Sequence, residues 1–552
     1  MGGALSEAPA VENALSYRTG EHGTMDTKAD LLRPQAYPLL CPTRVDLAET
    51  HISLVFLTER DVFKVKKPVD LGFVDFRSIK QRKTACDAEV SLNGRLAPEV
   101  YRGVVPIRRG SDGRCLVDGE GPIVDWAVHM VRLPDERRAD LMLERGELAT
   151  DAIDSIAARI VAFHRASRAD EATARFGTAD AIEYNIRENF AQTRGQVEKY
   201  VSPEESDEIF RWQTAFVHGH DSLFSARIAA GHVRDGHGDL RLEHVYLDPP
   251  EKPTIIDCIE FSDRFRFGDV CADIAFLSMD LAAHGRVDLA ERLLARYASE
   301  SGDFDLYALV DFYESYRAYV RGKVAAIVAS GALVDAVSRE AAERDARRYF
   351  LLALSADRRS MLLPAVVAVG GVIASGKSTI ADQVGVALSA PVIEADRTRK
   401  AMLGKEASHR FDESPWQGAY DPAFTEEVYA EVLRRAEVVV ASGRPVVIDA
   451  SFRSRAMRRA AQDLASRHQV PFRFIECRAD AAVCRSRLAA RAASRGVSDG
   501  RLEIFDAFCA RFEPIDEVAP DDHLVLDTTR SVGESVSAVR ARLDCWPPGL
   551  FA

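Results

Sequence analysis

The feature that most constrains the fold is a glycine-rich stretch in the second half of the chain, "AVVAVGGVIASGKSTIADQV". The β-branched run from Val366 to Val369 predicts a buried parallel strand, and the amphipathic pattern after Ser378 predicts a helix. Between them, "GVIASGKS" matches GxxxxGK[ST], in which glycines let backbone amides turn inward around a phosphate at a helix N-terminus. The stretch therefore predicts an α/β domain with a parallel sheet and a nucleotide-binding loop.

Each position of this loop has an expected role. Lys377 is expected to reach the β- and γ-phosphates of ATP, and the Ser378 hydroxyl is expected to bind Mg²⁺. A chance glycine-rich turn is the alternative, and the strand, loop and helix in register argue against it. The predicted nucleotide-binding residues are Gly371, Val372, Ile373, Ala374, Ser375, Gly376, Lys377, Ser378 and Thr379.

Two further predicted strands end in acidic residues. "APVIEADRTRK" carries Glu394 and Asp396 with Arg399 three residues later, and "RPVVIDASF" ends in Asp449. Ligands of open α/β sheets bind beyond the carboxyl ends of the strands. Asp396 is expected to orient or deprotonate an acceptor hydroxyl, and Asp449 to hold Mg²⁺ or help place the substrate. Helix N-capping is the alternative role for both aspartates.

A row of arginines follows the next predicted strand. Arg485, Arg487, Arg491 and Arg495 fall in one predicted helical segment, where they could close over transferring phosphates as a lid. Arg491 is the predicted catalytic member, and a solvated basic face is the alternative. This half resembles the small P-loop kinases related to gluconate, shikimate and polynucleotide kinases. The resemblance implies that Asp396 and Arg399 handle the acceptor hydroxyl.

The first half contains a candidate phosphate-binding lysine. "HISLVFLTERDVFKVKKPV" predicts two short strands about a polar turn, with Lys64 and Lys66 on one face of the second strand. Glu89, on the helix predicted by "RKTACDAEVSLNGRLAP", is the expected carboxylate partner. Lys64 is preferred to Lys66 because "VFK" matches the approach to the lysine in kinase strands. An ordinary edge-strand lysine is the alternative for both.

Two loops predict a phosphotransfer site in the same half. "GHGDLRLEHVYL" contains Asp239, expected to accept the proton of an acceptor hydroxyl, and "TIIDCIEF" contains Asp257, expected to bind metal. His244 stands five residues after Asp239, where a kinase loop carries a metal-binding Asn, and imidazole is a poor ligand for Mg²⁺. His244 is either a ligand or a hydrogen-bond partner of Asp239 or a phosphate. Alternatively Glu243 or Glu260 supplies the missing oxygen, or the domain binds a ligand without transferring phosphate.

These motifs, together with "GDVCADIAFL", resemble the aminoglycoside phosphotransferase-like branch of the protein-kinase fold. The resemblance implies a bilobal α+β domain in which Asp269 and Asp273 brace the catalytic loop. The arrangement is similar to a group of bacterial ATP-binding proteins that join such a domain to a P-loop kinase. It implies ATP and Mg²⁺ as cofactors and small hydroxylated molecules as acceptors of both halves.

Length and pattern divide the chain further. At 552 residues the chain is too long for one core, and we expect a multidomain protein. The N-terminal domain is predicted over residues 33–355, after an unstructured segment over 1–32, and one helical stretch is predicted over about 323–358. A linker is predicted over 356–363, the P-loop domain over 364–545 and a tail over 546–552.

Composition limits the partners. The net charge of -13 argues against a general nucleic-acid or anionic-membrane binder, and the longest apolar run is too short to span a membrane. Nine scattered cysteines suit a reducing cytoplasm.

Two rival hypotheses remain open. In one, the first half is a ligand sensor or pseudokinase that regulates the second. In the other, the P-loop half phosphorylates the 5′-hydroxyl of a polynucleotide.

Overall fold

The small lobe of the N-terminal domain is a six-stranded antiparallel sheet with the strand order β1-β2-β3-β6-β4-β5. The computed structural model describes residues 24–50, 52–70, 74–331, 334–354, 362–411, 416–491 and 501–546. The two strands about the polar turn pair as predicted, with Leu57 opposite Val62. The elements of this lobe are α1 (Thr24–Leu31), β1 (Asp46–Glu49), β2 (Ser53–Leu57), β3 (Asp61–Lys66), α2 (Ile79–Asn93), β4 (Tyr101–Arg109), β5 (Cys115–Val117) and β6 (Ile123–Val131).

The segment before the sheet corrects one prediction. Residues 24–32 were predicted to be unstructured, but α1 packs on β5, with Leu31 fully buried in the lobe core and Cys115 N–H donating to Asp30 at 2.8 Å. The helix is held by buried Leu31 and by the hydrogen bond to Asp30, and two such contacts do not produce an apolar periodicity in the sequence. Residues 1–23 of the predicted segment lie outside the described residues.

The large lobe is mainly helical, and a short hairpin lies between the loops that contain Asp239 and Asp257. Strands β8 and β9 pair antiparallel, with Val245 opposite Ile255. The helical stretch predicted over about 323–358 consists of the end of α12 and all of α13, and these two helices pack against each other. The elements are α3 (Ala139–Glu144), α4 (Thr150–Ala166), α5 (Glu171–Ala174), α6 (Ala179–Thr193), α7 (Pro203–Gly219), α8 (Asp221–Ala229), β7 (Val233–Asp235), β8 (Val245–Tyr246), β9 (Thr254–Ile255), α9 (Asp263–Arg266), β10 (Phe267–Asp269), α10 (Val270–Ala283), α11 (Val287–Ser301), α12 (Val310–Ala329) and α13 (Ala336–Leu354).

The C-terminal half is a three-layer α/β domain. Its five strands form a parallel sheet in the order β12-β13-β11-β14-β15, so the strand that leads into the P-loop is central. Its elements are β11 (Val366–Gly370), α14 (Lys377–Leu388), β12 (Val392–Glu394), α15 (Ala395–Met402), α16 (Pro422–Ala441), β13 (Val446–Asp449), α17 (Arg455–Arg467), β14 (Phe472–Arg478), α18 (Ala481–Arg491), α19 (Phe505–Cys509), β15 (His523–Asp527) and α20 (Val532–Arg540).

The ends of this domain differ from the predicted boundaries. Leu362, placed in the predicted linker, is buried in the core formed by β11 and α14. Trp546, placed in the predicted tail, is also in that core, and its backbone N–H donates to Ala387 O at 3.0 Å. Large apolar side chains at both ends extend the domain beyond its regular elements. The rest of the predicted linker and tail, residues 356–361 and 547–552, lies outside the described residues.

The two halves share a buried interface. Apolar residues of α11, α12 and α16 belong to one continuous core cluster that includes both halves. Within it, Arg444 is almost fully buried and donates to Glu291 and Asp311, each at 2.8 Å. A second interdomain pair, Arg434 with Asp305, is about half exposed. Of the helices in the described ranges, none combines the length and apolar character that crossing a membrane requires.

Candidate active sites

The P-loop follows the central strand and has the backbone shape that a phosphate requires. Gly371 and Gly376 have φ values of +142° and +91°, and a Cβ on Gly371 would lie 2.5 Å from Cys477 O. Both positions therefore need glycine. The Ser375 hydroxyl is buried without a hydrogen-bond partner among the described residues, as expected of a loop shaped for an external ligand.

Lys377 and Ser378 lie at the N-terminus of α14, where the sequence places them. The Lys377 ammonium donates to Val372 O at 2.8 Å, folding back over the loop. Ser378 donates to the carboxylate of Asp449, which is buried at the end of β13. Burial raises the pKa of Asp449 to about 6, against the opposing charge of Lys377 and the hydrogen bond from Ser378. A hydroxyl and a carboxylate beside the phosphate loop are hard oxygen donors that fit Mg²⁺.

The acceptor side of this site lies at the ends of β12 and β13. Glu394 is paired in register with Asp449, and burial with that neighbouring negative charge raises the pKa of Glu394 to about 7. Asp396 follows in the first turn of α15, close enough to Asp449 to raise its pKa. The predicted carboxylates therefore converge beside the P-loop.

Arg399 does not join them. Its guanidinium is buried and donates to Ala419 O at 2.6 Å and to Thr425 Oγ1 at 3.3 Å, so it is turned away from the carboxylates, and its role at the acceptor stays a prediction. Arg399 instead ties α15 to the segment before α16. The side chain of Arg491, the predicted lid residue, lies outside the described residues.

The arginine that does meet the P-loop is Arg487. It donates to Ala374 O at 3.2 Å and to Thr528 O at 2.6 Å, and the Thr528 hydroxyl donates to Ser375 O at 2.6 Å. Thr528 was not predicted, and its position just after β15 was the available signal. Beside this brace, a cavity of about 410 Å³ is lined by Gly371 and the carboxyl ends of β14 and β15, on the opposite side of the loop from Asp396.

Two other arginines lie near the acceptor side. Arg453 and Arg511 each lie 4.2 Å from the ring centre of Trp416, and the charge of Arg511 helps to lower the pKa of Arg453, after burial. Within the described part of the chain, neither has a carboxylate within salt-bridge distance, and Glu513 acts on Arg453 only from farther away. Together they form a cationic surface.

In the N-terminal domain, Lys64 and Lys66 share one buried carboxylate. Lys64 Nζ lies 2.9 Å from Glu89 Oε1 and 2.6 Å from Asp257 Oδ1, and Lys66 Nζ lies 2.6 Å from Glu89 Oε2. Lys66 is fully enclosed and also pairs with Glu260. Burial alone would lower the pKa of Lys64, but Asp257 and Glu89 raise it well above its usual value. Lys64, on the opening side, is therefore the better placed lysine for a phosphate, and Glu260 is committed to Lys66.

The catalytic loop presents Asp239 to the same opening. Arg241, which was not predicted although it stands two residues later, donates to both Asp239 carboxylate oxygens at 3.0 Å and pairs with Glu243. Burial opposes ionisation, yet the adjacent Arg241 guanidinium holds the pKa of Asp239 below its usual value. Asp239 is therefore ionised at neutral pH and able to orient a hydroxyl.

Asp269 and Asp273 are structural, as predicted. The Asp273 carboxylate accepts the backbone N–H groups of His237 and Gly238 at 2.7 and 2.9 Å, which fixes the start of the catalytic loop. Asp269 caps α10 and pairs with the buried Arg227. Asp273 therefore braces the loop from behind, whereas Asp269 fixes the start of α10 and holds Arg227.

Asp257 and His244 were both predicted as candidate metal ligands, and the structure brings their side chains close together. Asp257 has φ +65°, a left-handed conformation that turns its carboxylate towards Lys64 and His244. His244 Nε2 lies 3.6 Å from Asp257 Oδ2 and 3.7 Å from Glu243 Oε1. A nitrogen donor at this position does not fit Mg²⁺. Among the described residues, no three His, Cys, Asp or Glu side chains form a metal-binding group, so phosphate oxygens would have to complete either site.

Comparisons with known proteins agree with this division. A family model described as an AAA domain matches residues 366–515, within the P-loop half. Uncharacterized proteins of Mycobacterium tuberculosis and Mycobacterium bovis are 34% identical over 476 residues, which cover 86% of this chain and 92% of each relative.

Solved structures match each half separately. Aminoglycoside 2′-phosphotransferase-IIIa, solved as its GDP complex, is 14% identical, covers 59% of this chain and 98% of its own, and has a TM-score of 0.37. A choline/ethanolamine kinase family protein from Mesorhizobium loti is 12% identical, covers 56% and 91%, and has a TM-score of 0.35. A gluconokinase from Sinorhizobium meliloti is 19% identical, covers 34% and 93%, and has a TM-score of 0.25.

Proposed function

The chain belongs to the same family as the uncharacterized mycobacterial proteins, and we propose that it transfers the γ-phosphate of ATP to hydroxyl groups of small molecules. Each half carries a site: an aminoglycoside phosphotransferase-like domain comes first, and a P-loop kinase domain follows. The observation that carries the proposal is the P-loop itself, with Lys377, Ser378 and Asp449 brought together beside it.

In the C-terminal site, residues of this chain bind the nucleotide, orient the acceptor hydroxyl and take up its proton. Loop amides and Lys377 hold the β- and γ-phosphates, and the cavity beside β14 and β15 is the expected place of the nucleoside. Mg²⁺, held by Ser378 and Asp449, would supply charge neutralisation on the phosphates. The acceptor oxygen bonds to the γ-phosphorus as the bond to the β–γ bridging oxygen breaks. ADP leaves with that electron pair, and Asp396 accepts the hydroxyl proton.

In the N-terminal site, the corresponding residues are Lys64 and Asp239. Lys64, oriented by Glu89, neutralises the nucleotide phosphates, and Asp239 accepts the acceptor proton during an in-line transfer of the same stoichiometry. Arg241 is placed beside Asp239, where it can offset charge on the transferred group.

The test uses the whole chain, because the buried Arg444 interface argues against separating the halves. ADP formation is measured with a panel of sugars, polyols and amino alcohols for the wild type, Lys377→Ala and Asp239→Asn. Each change should remove transfer to one set of acceptors and leave the other set unchanged. Lys405→Ala, at an exposed lysine of the same half, is the matched control for Lys377. Acceptor-dependent turnover that survives in the Lys377→Ala, Asp239→Asn double variant would refute the proposal.

A second candidate for the C-terminal half is a polynucleotide 5′-hydroxyl kinase. The cationic surface of Arg453 and Arg511 over Trp416 favours it, because guanidinium groups bind phosphate. Labelled phosphate transfer to a 5′-hydroxyl oligonucleotide, compared with the small-molecule panel, distinguishes the two. Transfer to the oligonucleotide alone, lost in Arg453→Ala, would establish this second candidate.

A further inference from the structure

The tautomer of His244 is fixed by its surroundings. Its Nδ1 lies 2.8 Å from the backbone carbonyl oxygen of Asp239, and a carbonyl only accepts, so Nδ1–H is the donor. The imidazole is only 7% exposed and cannot turn freely to water. In the neutral ring, Nε2 therefore presents a lone pair to the opening between the lobes.

That lone pair faces two carboxylates at distances too long for hydrogen bonds. Nε2 lies 3.6 Å from Asp257 Oδ2 and 3.7 Å from Glu243 Oε1. Two ligand atoms, each about 2.1 Å from one ion, are separated by about 3.0 Å at a right angle and about 3.4 Å at the tetrahedral angle. The spacing between Nε2 and Oδ2 therefore leaves room for one cation between them, after a small side-chain rotation.

The outer contacts match those of a metal-binding histidine. Such a histidine usually donates its other ring N–H to a carboxylate or backbone carbonyl, which fixes the ring and raises its basicity. His244 does this through Asp239 O, and Lys64 occupies Oδ1 of Asp257, which leaves Oδ2 for the ion. Both protein ligands are thus oriented before any ion arrives.

The donor set decides the class of ion. Mg²⁺ prefers oxygen ligands, whereas mixed imidazole and carboxylate sites suit first-row transition ions. Resting on the proposed function of the N-terminal half, we propose that this site takes a transition-metal dication between His244 Nε2 and Asp257 Oδ2, with nucleotide phosphates completing the shell. The two halves then use different metals: Mg²⁺ at the P-loop and a transition ion at His244, for which paramagnetic Mn²⁺ serves as the probe.

Pulsed electron paramagnetic resonance of bound Mn²⁺ tests this directly. The sample is the full chain carrying Lys377→Ala, which removes nucleotide binding at the P-loop, with Mn²⁺ and a non-hydrolysable ATP analogue. A ¹⁴N coupling from a directly bound imidazole is expected. It should disappear in the further change His244→Asn, which supplies an oxygen donor instead. His218→Asn, at an exposed histidine paired with Glu183, is the control and should leave the coupling intact.

Competition titrations give the second readout. His244→Asn is expected to shift the ratio of Mn²⁺ to Mg²⁺ affinity by roughly tenfold or more towards Mg²⁺. Bound Mn²⁺ without ¹⁴N coupling, a coupling that persists in His244→Asn, or an unchanged affinity ratio would each overturn the inference. Nucleotide that fails to bind in the Lys377→Ala chain would overturn the N-terminal function as well. A ¹⁴N coupling in a Lys377→Ala chain that transfers no phosphate from ATP to any acceptor of the panel would support the metal site while refuting the proposed N-terminal function.

Discussion

Replacing Asp449 by Asn should stabilise the metal-free chain while it damages the site. Burial raises the pKa of this carboxyl from its ordinary 3.8 to about 6, and a tenfold change in an ionisation constant is worth about 1.4 kcal/mol. Keeping Asp449 ionised in the folded chain therefore costs about 3 kcal/mol above pH 7. Asn is neutral and can still accept the hydrogen bond from Ser378, so it removes that cost without leaving a cavity.

The sign of the pH dependence follows from proton binding. The folded chain holds the Asp449 proton more tightly than the unfolded chain, so stability falls as pH rises from about 4 to about 6 and is then level. Asp449→Asn should therefore gain about 3 kcal/mol at pH 8 and almost nothing at pH 4.

Urea unfolding in EDTA, without nucleotide, measures this at both pH values. Asp463→Asn, at an exposed aspartate of α17, is the matched control. A gain of the same size at both pH values, or a loss at pH 8, would refute the reasoning. Magnesium-dependent turnover at the P-loop should fall in the same variant, because the buried carboxylate that lowers the stability of the chain is also the proposed ligand of Mg²⁺.

Three further outcomes are expected. Arg444→Met should destabilise the chain by about 3–5 kcal/mol in urea unfolding, because it leaves a buried glutamate unpaired. Arg434→Met at the same interface should cost less than about 1 kcal/mol, and equal losses would contradict the burial argument. Asp239→Asn should lower kcat of the N-terminal reaction by roughly 10²–10⁴ with unchanged ATP affinity, measured by steady-state kinetics and calorimetry. Arg487→Ala should weaken ATP binding by roughly tenfold, since it loosens the P-loop brace, whereas Arg485→Ala should leave it unchanged.

Local pattern was enough to predict the elements that carry the sites. β-branched residues before the glycines placed β11 and the P-loop, and alternation about a polar turn placed β2, β3 and the two lysines. These predictions hold because strand alternation and loop glycines are properties of neighbouring residues. The pairing of Lys64 with Glu89 was also predicted, because the family resemblance supplied the contact between strand and helix.

Side-chain contacts between segments that are distant in the chain could not be predicted from the sequence. Arg399 stands one helical turn from Asp396, which is why it was expected at the acceptor, but its long side chain reaches Ala419, 20 residues away. Thr528 and Arg487 meet the P-loop only because β15 lies beside β14 in the sheet. The order of the strands in the sheet creates these contacts, and a local residue pattern does not predict that order.

The interface between the halves bears on how the C-terminal site is built. β12 is an edge strand, and helix α11 of the N-terminal domain covers it, with Ser299 Oγ accepting Val392 N–H at 2.9 Å and Ser389 Oγ donating to Asp288 O at 3.2 Å. An uncovered edge would expose unpaired backbone groups at the strand that immediately precedes Asp396. The ion pair of Arg292 with Asp154 on α4 fixes the same helix within the large lobe of the N-terminal domain. The acceptor side of the P-loop site is therefore positioned partly by the N-terminal half, and transfer at Lys377 should require that half to be folded even when Asp239 is replaced.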